Sequence, residues 1–229
     1  MPIVSFVSPK GGVGKTTAAL VLAGELAEVG EKVILIDADP NHPLQDWYGL
    51  SETVDNISVI SDITEDNIID VVDDAHKKAK FVVVDLEGTG SAMVGYAISR
   101  SDLVIIPLQG SQLDAKQAVK AIQLIRRNEK AFDRKIKHAL LFSKTNVAIQ
   151  PKTYRHVLAE FTAADVDILE SQLLEREAFR TMFSYGGTLY DQSSKNVSNL
   201  GAAKDNSSAL AFDIIQRLPL KKSKRKLAS

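Results

Sequence analysis

Residues Lys10 to Thr17 read Lys-Gly-Gly-Val-Gly-Lys-Thr-Thr and follow directly on a short apolar run, Ile3 to Val7. A strand that empties into a glycine-rich loop restricts the fold more than any other feature of this chain. Gly11, Gly12 and Gly14 let the backbone turn tightly and aim successive N–H groups at one point, an anion-sized nest. The segment after the loop places Ala18, Ala19, Leu22, Ala23 and Leu26 along one helical face. Such a helix directs its positive N-terminal end at the same point. Strand, loop and helix together are the context in which a phosphate-binding loop has physical meaning. The loop, Lys10, Gly11, Gly12, Val13, Gly14, Lys15, Thr16 and Thr17, is expected to hold a nucleoside triphosphate, with Lys15 at the β- and γ-phosphates and the Thr16 hydroxyl on Mg²⁺.

The general loop pattern, Gly-x-x-x-x-Gly-Lys-[Ser/Thr], places Pro9 where the first glycine would stand. Lys10 therefore lies inside the loop, a second cation beside the phosphates.

Five further apolar, β-branched runs follow at Val33–Ile36, Ile57–Ile60, Phe81–Val84, Leu103–Pro107 and His138–Phe142. Continuous runs of this kind suit strands buried on both faces of a parallel sheet. Helical periods separate or follow them at Thr16–Val29, Glu65–Lys78, Ser91–Ser99, Asp114–Lys130, Pro151–Thr162, Glu175–Ser184 and Asn206–Arg217. The alternation predicts an α/β fold, a doubly wound and mostly parallel sheet with helices on both faces, as in P-loop nucleotide-binding proteins. Gly186–Gly201, rich in Gly, Ser and Asn, reads as an exposed loop.

At 229 residues the chain fits one domain, large enough to bury roughly 70% of its unfolded surface. The expected division is a single domain over 1–218 and a basic tail over 219–229. The absence of cysteine excludes disulfides, thiolate zinc sites and Cys nucleophiles, and fits a reducing cytoplasm. No secretion signal and no apolar run of bilayer-spanning length are present. The formal charge of −1 hides an asymmetry. Arg217 to Ser229 holds six basic residues and no acid, and removing them leaves 22 basic against 29 acidic residues, a net of −7. Such a tail fits a polyanion such as DNA or an anionic membrane surface, and equally a solvated segment.

In a doubly wound sheet, ligands collect at the carboxyl ends of the strands. Asp37-Ala38-Asp39-Pro40 follows the second apolar run, and Asp85 follows Phe81–Val84, ahead of Leu86-Glu87-Gly88-Thr89-Gly90. Carboxylates at the exits of buried strands are expensive without a positive neighbour, and Mg²⁺ with the loop lysines supplies one. Asp37 and Asp39 project to one side in extended chain, so one can hold the metal shell while the other orients water. Four apolar residues and then Asp85 form the Walker B pattern, whose carboxylate holds Mg²⁺, often through water. Gly88 and Gly90 give the next loop freedom to respond to the γ-phosphate.

Lys10–Thr17 with its two lysines, Asp37–Pro40 and Asp85 together resemble the ParA/MinD group of deviant Walker A ATPases. The length, without an N-terminal DNA-binding extension, is similar to small plasmid-partition ParA proteins, with VirC-type proteins of DNA transfer as close relations. The likeness covers roughly Pro2 to Leu218. It includes the strand Leu103–Pro107, ending in Pro, and Leu113-Asp114 after it. The resemblance implies weak, partner-stimulated ATP hydrolysis, an ATP-dependent homodimer and nonspecific DNA binding. It also implies a ParB-like adaptor, a nucleoid-associated cytoplasmic location and a task in DNA partition or positioning. Lys10 would reach the partner's phosphates and Asp39 would position the hydrolytic water, making these two the catalytic residues. Thr16, Asp37 and Asp85 would support Mg²⁺, partly through water. Asn41 stands where partition proteins usually have Gln, and Leu86-Glu87-Gly88 replaces a Pro-containing switch sequence.

The remaining signals are weaker. Ser143-Lys144-Thr145-Asn146 falls where the family places its base contacts, so Asn146 could read a purine edge or belong to a plain polar loop. No Asn-Lys-x-Asp guanine-reading motif occurs, which favours ATP over GTP. His42, His76, His138 and His156 show no i, i+4 pairing for zinc. Trp47 and Tyr48 are expected to pack or line an interface. Arg176 and Arg180 fit either DNA or partner contact, or surface pairing with Glu175 or Glu177. A MinD-like membrane role would need a C-terminal amphipathic helix, and the Pro-interrupted, charge-dense Arg217–Lys226 stretch is a poor one.

Overall fold

The strand segments are apolar on both faces because each contributes alternate residues to two separate cores. In the computed structural model, which describes residues 1–51, 54–88, 90–146, 151–195 and 197–219, seven strands form one sheet. They are β1 (Ile3–Phe6), β2 (Val33–Ala38), β3 (Ile57–Ile60), β4 (Phe81–Leu86), β5 (Leu103–Leu108), β6 (Lys137–Thr145) and β7 (Leu173–Leu174). The order is β3-β2-β4-β1-β5-β6-β7, and every pairing is parallel.

On one face lie α1 (Lys15–Glu28), α2 (Pro43–Leu50), α7 (Glu177–Tyr185) and α8 (Leu200–Arg217), packed on Val4, Phe6, Leu35, Val83 and Ile105. The other face carries α3 (Ile68–Lys78), α4 (Ala92–Arg100), α5 (Gln112–Ala131) and α6 (Lys152–Ala163), packed on Ile36, Val82, Val84, Val104 and Ile106. After β1 the chain winds outward through β2 and β3, returns to insert β4 beside β1, and continues with β5 on the far side of β1. The mouth of β1 is therefore the point where the winding reverses, the place such a sheet offers to a ligand.

Three features of the fold are missing from the sequence reading or depart from it. Residues 43–50 form the helix α2, which is only eight residues long and too short for a clear period; its start is marked by Pro43. The segment 186–201 is an exposed loop only in part, at Asp191, Ser193 to Lys195, Ser198, Asn199 and Gly201. Gly186, Gly187, Thr188, Leu189, Val197 and Leu200 are buried, and α8 begins at Leu200, six residues before the predicted start. The cause is Trp47, fully buried, whose Nε1 donates to the Gly187 carbonyl at 2.8 Å. Gly186 lies at φ +76, and a Cβ there would come within 2.7 Å of the Leu50 backbone, so glycine is required where this segment crosses α2. Third, Arg217 does not belong to a solvated tail. It closes α8, with its guanidinium bidentate on Asp167 at 3.0 Å and paired with Asp213. Residues 220–229, most of the expected tail, lie outside the described residues, as does Thr89 of the loop after β4.

Trp47→Phe keeps most of the apolar contact and strands the Gly187 carbonyl. It is expected to lower unfolding free energy by about 1–3 kcal/mol, read as a lower urea midpoint at unchanged slope.

Candidate nucleotide site

Register brings the site together. Asp37 of β2 lies directly across from Asp85 of β4, and Phe6 of β1 neighbours Asp85 on its other side. Adjacent parallel strands run about 4.8 Å apart, so two fully buried carboxylates sit side by side at the strand mouths. The loop 8–14 passes over them. Gly14 adopts φ +90 at the head of α1, facing Leu173 and Ser143. Ser143 Oγ donates to the Val13 carbonyl at 2.6 Å and pins the loop to β6. Lys15 is buried, while Gly11 and Gly12 remain open to solvent, Gly12 at φ +71.

Each carboxylate is treated differently. Thr16 Oγ1 donates to Asp85 Oδ2 at 2.6 Å, joining the first turn of α1 to the end of β4. The other oxygen, Asp85 Oδ1, is buried without a hydrogen-bond partner. Burial pushes the Asp85 carboxyl up to about 7, against the Thr16 hydrogen bond and the Lys15 charge, with Asp37 and Asp39 pushing it further upward. Asp37 Oδ2 accepts from the Leu44 and Gln45 backbone N–H groups at 2.8 and 3.0 Å, so it caps the start of α2. Burial raises the Asp37 carboxyl too, with those backbone donors opposing the rise. This capping role had no sequence signal beyond Pro43. Asp39 is half-exposed, and its Oδ1 accepts from both the backbone N–H and the side-chain amide of Asn41, at 2.9 and 3.0 Å. Asn41 thus orients Asp39.

Lys10 points away from Asp85. Its Nζ lies 2.7 Å from Asp114 Oδ1, and Asp114 is almost fully buried in the first turn of α5 beside its cap Ser111. Lys10 is therefore held within its own subunit by an acid whose part in the site no spacing could reveal.

A cavity of about 340 Å³ runs from the phosphate loop to Asp39, Asn41 and Glu87, with Lys144 on its rim. Glu87 and Lys144 line it as well, residues to which the sequence reading gave no role of their own. Asn146 lines a neighbouring cavity of about 370 Å³ with Gly110, Tyr154 and Gln172, and Lys144 borders both. Ser143 to Thr145, read as loop, continue β6 instead. Arg176 precedes α7, and Arg180 within it pairs with Glu175 and Glu177, at 2.5 and 3.1 Å.

The residues fit a magnesium nucleotide. Among the described residues no cluster of three or more His, Asp or Glu forms a self-sufficient cation site. The orphaned Asp85 oxygen beside the Thr16 hydroxyl supplies only part of a shell, which suits Mg²⁺ that takes other ligands from phosphate and water.

A reversed-winding parallel sheet with a lysine-bearing phosphate loop over a buried aspartate defines the class of P-loop nucleotide-binding proteins. The comparisons then narrow it. A family model described as VirC1 protein matches residues 1–216. Protein ParA of Rhizobium radiobacter is 41% identical over 218 residues, 95% of this chain and 98% of that protein. Protein virC1 of Rhizobium rhizogenes is 28% identical over 191 residues, 81% and 82% of the two chains. Among solved structures, apo McdA of Cyanothece superposes with a TM-score of 0.75 at 17% identity, covering 93% of this chain and 99% of that one. A plasmid partition protein of Borrelia burgdorferi bound to AMPPNP gives 0.69 at 19%, covering 95% and 99%. The chain belongs to the VirC1 family, within the ParA/MinD group.

Asp85→Asn tests the buried carboxyl. Because the folded-state pKa is raised from 3.8 to about 7, the folded chain holds an extra proton across that window, and stability is lost as pH rises through it. The neutral amide removes that loss. Ligand-free Asp85→Asn is expected to melt several degrees above the wild type at pH 8, at roughly 2–4 °C per kcal/mol. At pH 4 the gap should close, as differential scanning calorimetry would read.

Proposed function

We propose that the chain is a ParA-type ATP hydrolase. With Mg²⁺ and ATP it closes a sandwich dimer, binds DNA without sequence preference, and drives partition or positioning of plasmid or chromosomal DNA. The observation that carries this reading is the Thr16–Asp85 hydrogen bond with its orphaned second oxygen, set under a loop that bears two lysines. When bound, Mg²⁺ would sit at Thr16 and Asp85, and it supplies charge neutralisation between the β- and γ-phosphates.

Lys15 and the backbone N–H groups of Gly11 to Thr17 hold the phosphates of their own subunit. Asp39, steadied by Asn41, orients the attacking water and accepts its proton. Asp37 acts chiefly by fixing α2, and with it the loop that carries Asp39. Lys10 leaves Asp114 to meet the partner's phosphates, so the ion pair seen here belongs to the monomer. Asn146 stands beside the cavity next to the phosphate site and is assigned to the adenine. A ParB-like protein stimulates hydrolysis, and the dimer works in the cytoplasm at the nucleoid.

The match to the VirC1 family favours a second cargo for the same chemistry, DNA prepared for transfer rather than a plasmid being segregated. A membrane-positioning role draws less support, because the Pro-interrupted, charge-dense stretch from Arg217 to Lys226 is a poor amphipathic helix.

Lys10→Ala should keep nucleotide affinity within a few-fold yet lose ATP-dependent dimerisation and hydrolysis. Light scattering with Mg²⁺ and a slowly hydrolysed analogue reads this, and a variant that still dimerises would remove Lys10 from the interface. Asp39→Ala should accumulate as an ATP-bound dimer and turn over roughly 100-fold more slowly. An unchanged rate of phosphate release would place the water-orienting group elsewhere.

A further inference from the structure

The charge of this chain is unevenly distributed along its length in a way the nucleotide site does not use. Residues 112–163 hold eleven Lys and Arg against four Asp and Glu, while the rest of residues 1–216 hold eleven against twenty-five. That basic segment contains α5, β6 and α6, and α5 concentrates it.

Ala115, Ala118, Ala121, Ile122 and Ile125 turn one side of α5 into the core. On the opposite side Lys116, Lys120, Gln123, Arg127 and Lys130 are all exposed. Their spacings of four, three, four and three make one continuous stripe along the helix, about 21 Å long at 1.5 Å per residue. An ordinary solvated helix face alternates its charges in i, i+4 pairs. Here both acids of α5 are already committed. Asp114 is buried against Lys10, and Glu129 Oε1 accepts from the Ile136 N–H. None of the four stripe cations makes an ion pair among the described residues. The adjoining α6 adds exposed Lys152 and Arg155, and its acid, Glu160, is taken by His156 and Gln112. Uncompensated cations at i, i+4 repel one another, so the stripe costs the monomer stability that an external polyanion would return.

We infer that the exposed face of α5, flanked by α6, is the surface that contacts the DNA backbone, with Lys116, Lys120, Arg127 and Lys130 at phosphates. This rests on the proposed DNA-binding reading and gives it a location. Duplex DNA offers one negative charge per about 1.7 Å of axis, dense enough to engage a row of cations of this length without base contacts. An anionic membrane fits poorly. A helix lying on a bilayer inserts its apolar side, and the apolar side of α5 is packed on the sheet. The first turn of α5 is also the turn that Lys10 grips through Asp114, so this surface begins beside the start of the phosphate loop.

The test replaces Lys116, Lys120, Arg127 and Lys130 together by Gln in the full chain. A control carries Lys77→Gln, Lys78→Gln, Lys80→Gln and Arg100→Gln, the same charge change on exposed residues elsewhere. Binding to duplex DNA of random sequence is followed by fluorescence anisotropy with Mg²⁺ and ATP over a salt series, beside basal ATPase rate and circular dichroism. The α5 variant is expected to fold, keep its basal ATPase, lose at least tenfold in affinity, and show a log–log salt slope shallower by about 3 to 4. The control should keep the wild-type slope. Equal slopes for wild type and α5 variant, or an equal loss in the control, would overturn the α5 surface and leave the proposed function standing. A wild-type chain that binds no DNA in any nucleotide state would overturn the DNA reading itself. Stripe-dependent binding to phosphatidylglycerol vesicles in place of DNA would overturn the choice of partner.

Discussion

Two aspartates buried side by side, Asp37 and Asp85, set the terms for everything at the mouth of this sheet. Removing a carboxylate from water is costly unless it is paired or hydrogen-bonded, and the chain answers that cost twice in different ways. Asp37 is given to the head of α2, whose backbone N–H groups satisfy it. Asp85 is half satisfied by Thr16 and keeps one buried oxygen without a hydrogen-bond partner. The rise of its carboxyl to about 7 expresses that deficit. In the proposed reading, the unpaired oxygen that costs the folded chain stability is the one that would hold magnesium nucleotide.

The same economy appears at Lys10. A cation inside a phosphate nest would ordinarily lie against the phosphates. In this monomer it is drawn sideways to a buried acid at the start of α5. The loop therefore has two lysines with two partners, Lys15 near Asp85 and Lys10 at Asp114. In the proposed dimer only Lys10 would have to change partner, and the helix that would feel that exchange carries the uncompensated basic stripe.

Much of this is legible in the amino-acid sequence, because the informative residues are local. The phosphate loop, the strand-end acids and the apolar runs each announce themselves within eight residues, and the doubly wound fold follows from their alternation. What stayed hidden depends on distant contacts. Nothing near Gly186 indicates that it must pass close to Leu50, or that Gly187 beside it is buried against Trp47. Likewise, the pairing of Lys10 with Asp114 joins the loop after β1 to the helix after β5, and nothing in the sequence near Asp37 shows that it also caps α2. Arg217 read as part of a tail because its acids, Asp167 and Asp213, reach it only once α8 is laid on the sheet. Short elements such as α2 and β7 carry too few residues for a period to show.

The central claim is that the orphaned Asp85 oxygen is the anchor for magnesium nucleotide. Calorimetric titration of ATP at pH 7, with and without Mg²⁺ and in buffers of differing ionisation enthalpy, tests it most directly. Binding should be strongly Mg²⁺-dependent and should release a fraction of a proton, as the cation drives the Asp85 carboxyl to its ionised form. Binding of equal strength without Mg²⁺ and with no proton released would contradict the account.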